Sequence, residues 1–212
     1  MSLKVPALHS DQVKHDIKGR YDNLGQNVLA WLDGVRDSAE VWRAVEGARP
    51  PLAYFRQRKI EAALALGRFT RGGTIVEVGC GTGDYALLLA RMGFQVIGVD
   101  LSLTSIEGAK RKAQVLGMSE VSFVASDAET LHGLTADSVD GVVSFSALRY
   151  VPNIEMALEA IRRVLKPGAA AVLDFPNRYC PWFTLLKNRF GVETHIHDHH
   201  YSTKEIVTLL CR

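Results

Sequence analysis

The chain has 212 residues, of which 47% are hydrophobic and 23% are charged, and its formal net charge is +2 at pH 7. This length suits one domain with a sizeable core, and this composition excludes an intrinsically disordered chain. The low net charge excludes an extended nucleic-acid surface, and the short basic run Arg56–Lys59 is interpreted as a solvated helix face.

The first 70 residues have a helical pattern that breaks at Gly34, at Gly47 and at Pro50-Pro51. Aromatic residues are spread along these helices, and they contrast with the shorter apolar runs that follow. We expect residues 1–70 to form a helical cap or lid on the sheet rather than a separate domain. Residues 71–212 are then the α/β core.

Five short apolar runs follow, and helical patterns separate them. The predicted strands are Thr74–Val78, Gln95–Asp100, Val121–Ala125, Gly141–Phe145 and Ala169–Phe175. The predicted helices are Asp84–Met92, Leu103–Leu116, Asn153–Leu165 and a last one that begins near Ser202. Runs that are so short and so uniformly apolar indicate parallel strands buried on both faces. The sequence therefore predicts an α/β fold with a doubly wound, mainly parallel sheet and helices on both faces.

A glycine-rich loop, E-V-G-C-G-T-G-D from Glu77 to Asp84, joins the first strand to the first helix of this core. In the dinucleotide fingerprint G-x-G-x-x-G, the third glycine lets the helix pack closely on the strand, and the pyrophosphate lies at the helix N-terminus. Here Asp84 takes the third position, and its carboxylate would repel a pyrophosphate. A loop with acidic residues on both sides suits a ligand that carries positive charge and no phosphate.

Four further motifs follow the loop V-E-V-G-C-G-T-G-D-Y in order: V-I-G-V-D-L-S, S-D-A-E-T-L, V-D-G-V-V-S-F-S-A-L-R-Y-V and L-K-P-G-A-A-A-V-L-D-F. With these motifs, residues 72–212 resemble the class I (Rossmann-like) S-adenosylmethionine-dependent methyltransferases. The chain is most similar to the small-molecule group that includes the ubiquinone/menaquinone-biosynthesis type. The resemblance implies S-adenosyl-L-methionine as cofactor, with S-adenosyl-L-homocysteine as product. The sulfonium and α-amino groups of this cofactor supply the positive charge that the loop favours.

The resemblance also implies which residues hold the cofactor. The three loop glycines let the backbone approach its methionine end, which Ser144 or Phe145 should also face. Asp100 is expected to bind two ribose hydroxyls, and Asp127 with the backbone N–H of Ala128 to bind adenine. Capping of a following helical segment is the alternative for each carboxylate. The candidate set is Glu77, Gly79, Cys80, Gly81, Gly83, Asp100, Leu101, Asp127, Ala128, Ser144 and Phe145, and Asp84 and Tyr85 are further candidates at the amino-acid end.

Methyl transfer from a sulfonium is an in-line displacement whose donor is already activated, so the protein mainly aligns the reactants and excludes water. Ser144-Phe145-Ser146-Ala147 stands where amino methyltransferases of nucleobases carry [DN]-P-P-[YFW], so a nucleobase amine is not expected. We expect a small-molecule acceptor that is methylated on oxygen, carbon or nitrogen. The alternative is a catalytically silent, cofactor-binding regulatory or scaffold protein.

The candidate catalytic residues are His195, His197 and Arg149. The two histidines belong to the histidine-rich stretch Thr194–Tyr201, which is interpreted as a substrate-pocket wall or base, as a solvated loop, or as a metal site. No metal is expected, because no Cys or Glu lies at a typical zinc spacing. Arg149 stands where many relatives have His, which hints at an anionic acceptor; a surface ion pair is the alternative. Tyr21 resembles the lid tyrosine of relatives, and core packing explains it as well.

No apolar run approaches the roughly 18 residues that cross a bilayer, and no secretory signal opens the chain. Cys80, Cys180 and Cys211 make no C-x-x-C pair, which favours reduced thiols and a cytoplasmic location. The class I sheet normally has seven strands, and only five are predicted here. We therefore expect the chain to end before its natural C-terminus and to lack a C-terminal hairpin.

Overall fold

The computed structural model describes residues 7–181, 197 and 199–211. These residues form a sheet of five parallel strands in the order β3-β2-β1-β4-β5. The strands are β1 (Thr74–Val78), β2 (Gln95–Asp100), β3 (Val121–Ala125), β4 (Val139–Ser144) and β5 (Leu165–Leu173). The helices are α1 (Ala7–Gly34), α2 (Ser38–Glu46), α3 (Pro50–Gly67), α4 (Asp84–Arg91), α5 (Leu103–Leu116), α6 (Ile154–Val164) and α7 (Thr203–Leu210). None of the described helices is both long and apolar enough to cross a membrane.

β1 lies at the centre of the sheet, and its side chains alternate between two hydrophobic cores. Ile75 joins the core that is formed with α2, α3, α4 and α5, whereas Val76 and Val78 join the core formed with α6. Successive side chains of a strand point to opposite faces, so a strand that is covered on both sides is apolar throughout. The predicted doubly wound α/β fold with an N-terminal helical segment is confirmed.

α1 packs along α5 through a polar junction. The Asp22 carboxylate accepts hydrogen bonds from the hydroxyls of Ser102 (2.6 Å) and Thr104 (2.7 Å), and it pairs with Lys18. Partial burial raises the pKa of Asp22, but the hydrogen bonds from Lys18, Ser102 and Thr104 outweigh it and lower the pKa to about 2. Next to this junction a Cβ on Gly25 would lie 2.5 Å from the α5 backbone, so glycine allows the two helices to touch. α1 is thereby fixed beside the carboxyl end of β2.

The predicted boundaries of β1, β2, β3 and α5 agree with the structure, whereas those of β4 and β5 differ. β4 starts two residues earlier than predicted, and β5 starts four residues earlier, at Leu165. Leu165 pairs with Val139, and a register shift then lets Lys166–Gly168 leave the pairing before β5 resumes opposite Gly141. Pro167 and Gly168, which follow the predicted end of α6 and precede the predicted start of β5, therefore lie inside a bulged strand.

Gly98 in β2 tests how tightly the sheet packs beneath the glycine loop. A Cβ there would lie 2.5 Å from Cδ1 of Phe123 and 2.9 Å from Sγ of Cys80, so we expect Gly98→Ala to lower the free energy of unfolding by about 1–3 kcal/mol. Gly19 in α1 is exposed and has no atom within 4 Å of an added Cβ, so Gly19→Ala should instead stabilise by about 0.4–1 kcal/mol. Urea denaturation followed by circular dichroism measures both. A Gly98→Ala variant as stable as the native chain would contradict this packing.

Candidate active site

A cavity of about 500 Å³ lies at the carboxyl ends of β1, β2 and β4. α1 and α3 contribute the side of the cavity that faces away from the sheet, through Ile17, Tyr21 and Phe55 among others. All the candidate cofactor-binding residues except Gly83 and Ser144 line it. The structure therefore brings together, at one edge of the sheet, residues that the motifs place far apart in the sequence.

The glycine loop approaches the loop that follows β4. Gly79 has a φ of 75°, and a Cβ there would lie 2.0 Å from the Cβ of Ala147, so only glycine permits this approach. Gly83 has a different task, since it is the N-cap of α4 with a φ of 83°, and a Cβ there would meet the Phe123 ring at 2.7 Å. Gly83 thus packs against the core and does not line the cavity.

Asp100, at the end of β2, accepts hydrogen bonds from the backbone N–H groups of Gly81 (2.7 Å) and Ser102 (2.9 Å). Burial raises the pKa of Asp100, and these backbone donors oppose that rise. The N-cap of α5 is Ser102, whose hydroxyl accepts from Ser105 N at 3.0 Å, so capping is not the role of Asp100. Its carboxylate fixes the glycine loop and lines the cavity beside Leu101.

Asp127, after β3, caps the turn that follows it, which is the alternative role given above, and it also forms an ion pair. Its Oδ1 accepts from the backbone N–H of Glu129 at 2.9 Å, and its Oδ2 lies 2.7 Å from Nζ of Lys14 on α1. Lys14 also contacts Glu129 Oε2 at 2.5 Å. Ser126 and Ala128 line the cavity beside Asp127, and the buried Ser126 hydroxyl has no hydrogen-bond partner among the described residues.

The end of β4 separates the two residues that were expected to face the methionine end of the cofactor. Ser144 is fully buried and its hydroxyl donates to the Val78 carbonyl at 2.9 Å, so it joins β4 to β1 instead of lining the cavity. Phe145 does line the cavity, and its ring packs on that of Tyr85 with centroids 4.4 Å apart. Burial raises the pKa of Tyr85 to about 12, which keeps the phenol protonated at neutral pH.

Asp84 is not the unbalanced negative charge that the sequence suggested. It pairs with Arg56 of α3 at 2.6 Å and with Lys112 of α5 at 2.5 Å, and Lys112 is only 3% exposed. The interpretation of Arg56–Lys59 as a solvated face is therefore wrong for Arg56, which lines the cavity, and for the partly buried Lys59. Lys59 pairs with Asp174 and contacts the Ser146 hydroxyl at 2.6 Å.

Glu77 and Cys80 occupy the most buried part of the cavity wall. Glu77 is 1% exposed, and burial raises the pKa of its carboxyl well above its usual range, with the Asp84 charge adding to the rise. Burial likewise raises the pKa of the Cys80 thiol well above its usual range. The thiol is therefore not a reactive thiolate.

Arg149 and two tyrosines form the cavity wall on the side of the loop after β4. Arg149 is 9% exposed, and its guanidinium carbon lies 5.7 Å from the centroid of the Tyr150 ring. Tyr150 in turn packs edge-to-face against Tyr21 of α1, with centroids 6.2 Å apart. All three residues line the cavity, so the cation is not at a solvated surface.

Of the histidine-rich stretch, His195 lies outside the described residues. His197 does not line the cavity; its Nε2 lies 2.9 Å from Oδ2 of Asp16 on α1, and its φ is 56°. The hydrogen bond from His197 lowers the pKa of Asp16. The backbone N–H of His199 donates to the Arg149 carbonyl at 2.9 Å, which brings this stretch next to the Arg149 wall. Within the described part of the chain, no three His, Cys, Asp or Glu side chains could hold a metal ion together.

Comparison with known proteins agrees with this geometry. Residues 76–173 match the family model described as Methyltransferase domain. A 2-phytyl-1,4-naphthoquinone methyltransferase of Trichormus variabilis is 40% identical over 109 residues, covering 49% of this chain and 47% of the relative. An S-adenosyl-L-methionine-dependent Diels-Alderase of Talaromyces variabilis is 38% identical over 119 residues, covering 55% and 40%. The solved structure of an S-adenosylmethionine-dependent methyltransferase from Methanosarcina mazei superimposes with a TM-score of 0.60 at 26% identity, covering 69% of this chain and 82% of that one.

The fold and the order of the motifs are those of class I, Rossmann-like S-adenosylmethionine-dependent methyltransferases. Residues 76–173 match the methyltransferase family model, in agreement with the resemblance found in the sequence. The matched part of the chain spans about half the length, or less, of the two curated relatives.

The buried Glu77 predicts a pH-dependent difference in stability. Glu in the unfolded chain has a pKa of about 4.3, and the pKa of Glu77 in the folded chain is higher. The native protein therefore loses stability as pH rises from the unfolded to the folded pKa, by up to about 1.4 kcal/mol per pH unit. Gln cannot ionise, so Glu77→Gln should gain stability over the native chain as pH rises. Urea unfolding from about pH 5 to about pH 8 measures this, with the exposed Glu46→Gln as control. An equal difference at all pH values would contradict the buried, protonated carboxyl.

Proposed function

We propose that this chain binds S-adenosyl-L-methionine in the cavity and transfers its methyl group to a small-molecule acceptor. The observation that carries the proposal is the composition of the cavity wall. The glycine loop, Asp100 and Asp127 line one cavity, and so do Glu77 and Ser126, whose buried atoms Oε2 and Oγ have no partner among the described residues. Buried polar atoms are normally hydrogen-bonded, so this pair indicates a polar ligand.

The residues fit the cofactor along its length. Glu77 lies where its α-ammonium group would be received, Asp100 where the ribose hydroxyls would donate, and Asp127 with Ser126 where adenine would bind. The cofactor supplies an activated methyl group when bound. The chain then has to orient the acceptor and exclude water, and orientation alone can contribute about 7–11 kcal/mol.

The acceptor would lie between Phe145 and the Arg149 wall. Tyr21, Tyr150 and Phe145 offer aromatic surface there, and the Arg149 guanidinium offers a permanent positive charge in a water-poor site. This combination supports an aromatic or otherwise planar acceptor with an anionic or acidic oxygen, which Arg149 would orient by hydrogen bonds. Of the two candidate catalytic residues that the structure describes, Arg149 lines the cavity and His197 does not, and a role for His195 or His197 stays a proposal.

A second candidate function is catalysis in which the cofactor is bound and not consumed. It is supported by the relative from Talaromyces variabilis, which is named as a Diels-Alderase dependent on the same cofactor. The regulatory or scaffold alternative shares the same requirement for binding. Formation of S-adenosylhomocysteine distinguishes methyl transfer from both of these alternatives.

A cytoplasmic location and the absence of nucleic-acid partners remain parts of the proposed function.

Asp100→Ala tests the cofactor site. The loss of hydrogen bonds to a charged group should weaken the binding of S-adenosylhomocysteine by about 1.5–3 kcal/mol, as measured by isothermal calorimetry. Asp33→Ala, which removes an exposed carboxylate of α1 that pairs with Arg111 of α5 and does not line the cavity, should bind as the native chain does. No heat of binding with the native chain would exclude the proposed function, and equal affinity of both variants would exclude this role of Asp100.

A screen of phenols, quinols, carboxylates and amines for S-adenosylhomocysteine production tests methyl transfer. We expect turnover with an acceptor that bears an acidic oxygen. Arg149→Leu should then lower kcat/KM for that acceptor by about 10-fold or more, because a charge-assisted hydrogen bond is lost, while cofactor affinity stays within about threefold. Arg149→Lys, which keeps the charge, should retain an intermediate activity. Equal activity of Arg149→Leu and the native chain would contradict the anionic acceptor, and cofactor binding without any turnover would favour the second candidate.

A further inference from the structure

Glu77 has an environment that differs from that of every other carboxyl group described above. It lies in β1, is 1% exposed, and lines the cavity. The backbone N–H of Ala86 opposes the rise in the pKa of its carboxyl group, and Oε2 has no hydrogen-bond partner among the described residues. A buried carboxyl group that lacks a partner for one oxygen thus belongs to the wall of a cavity that suits a ligand.

No described group around Glu77 provides a counterion. Asp84 of α4 and Asp100 of β2 are negative neighbours, and Cys80 and Tyr85 of the same region are neutral. Arg56 of α3 is the positive charge that acts on Glu77. Its donors, however, are engaged by Asp84 and by the carbonyls at the end of α2, at 2.5–2.9 Å. Lys112 of α5 is engaged in the same way, by Asp84 and the Thr82 hydroxyl.

A buried carboxylate without a counterion is unstable relative to the neutral acid. Burial and the charges of Asp84 and Asp100 all raise the pKa of Glu77. A ligand ammonium group beside Oε2 would reverse this balance, because an opposite charge within about 4–6 Å favours the ionised form. The α-amino group of the proposed cofactor is such a group, since an α-amino pKa is about 8.

We propose that Glu77 carries a proton in the cofactor-free protein and releases it when the α-ammonium group of the cofactor binds beside Oε2. This inference rests on the proposed function. The O–H bond of the Glu77 carboxyl is the only bond that breaks, the proton passes to solvent, and the ammonium group keeps its own protons. Glu77 then binds the amino-acid end of the cofactor as a carboxylate. It discriminates against nucleosides that lack this end, and cofactor binding becomes dependent on pH.

The sign of that dependence follows from linkage. Below the pKa of Glu77 in the cofactor-free protein, each binding event must expel a proton, so affinity rises with pH by up to about tenfold per unit. Above that pKa the carboxylate is already present and affinity levels off. It falls again when the ligand's own ammonium group loses its proton, near about pH 8.

Two ligands allow the proton that is released at the amino-acid end to be measured separately. S-adenosylhomocysteine has the amino-acid end, and 5′-methylthioadenosine has the same adenine, ribose and sulfur without it. Isothermal calorimetry in phosphate and in Tris, whose heats of ionisation differ widely, gives the number of protons released. At about pH 6.5, where an α-amino group is fully charged, S-adenosylhomocysteine should release up to about one more proton than 5′-methylthioadenosine. Any proton that Asp100 exchanges at the ribose is common to both ligands and cancels.

Glu77→Gln tests whether the released proton comes from Glu77. This variant should abolish the difference in proton release, weaken S-adenosylhomocysteine by about 10- to 150-fold, and change 5′-methylthioadenosine by less than about threefold. Glu46→Gln, which removes an exposed carboxylate that pairs with Arg91, should behave as the native chain. Equal proton release by the two ligands, or a difference that persists in Glu77→Gln, would overturn the inference while leaving the proposed function intact. Failure of both ligands to bind the native chain would instead overturn the proposed function and this inference with it.

Discussion

The ion pairs of Asp84 hold together the helices around the glycine loop. Asp84 begins α4, and its carboxylate binds Arg56 of α3 and Lys112 of α5. Arg56 also donates to two carbonyls at the C-terminal end of α2. Because these charges are largely removed from water, each is stable only while its partners stay in place. The position of three flanking helices, and with it the shape of the cavity beside β1, therefore depends on one carboxylate.

The same pairing decides which acidic groups remain for a ligand. Asp84 and Asp127 both have cationic partners, at Arg56 and Lys112 and at Lys14. Asp100 accepts hydrogen bonds from backbone N–H groups instead, and no ion pair joins Glu77 or Asp100 to another described residue. Two carboxyl groups without a cationic partner are well suited to receive the donors of a bound molecule. The positions of Lys14, Arg56 and Lys112 thus determine which carboxyl groups are available to a ligand.

The sheet could be predicted because its signals are local. Apolar runs fixed the strands, and the glycine spacing located the loop, since each depends on neighbours along the chain. The bulge in β5 could not be predicted, because it is set by pairing with β4. Lys14 and His197 find their partners more than a hundred residues away, which no local pattern reports. For Arg56, in contrast, the helical spacing of α3 does contain a local signal.

Arg56 and Lys59 repeat at the spacing of the buried Ile60 and Ala63, so all four share the inner face of α3, whereas Gln57 and Arg58 are exposed. The composition of this run alone indicates a solvated face, whereas its helical period places Arg56 and Lys59 on the buried side. A charged residue in phase with buried ones is a candidate for a buried ion pair.

α1 is attached to the loop after β2 and to the turn after β3. Asp22, near the middle of α1, binds the start of α5 next to Asp100. Lys14, in the N-terminal half of α1, binds the turn after β3. The same helix carries Tyr21 and Ile17 into the cavity. The helix that lines the proposed acceptor side is therefore not an interchangeable module. A chimera that takes its N-terminal helix from a relative must also take the partners of Lys14 and Asp22, or the graft would disturb the proposed cofactor site as well as the cavity wall that it was meant to change.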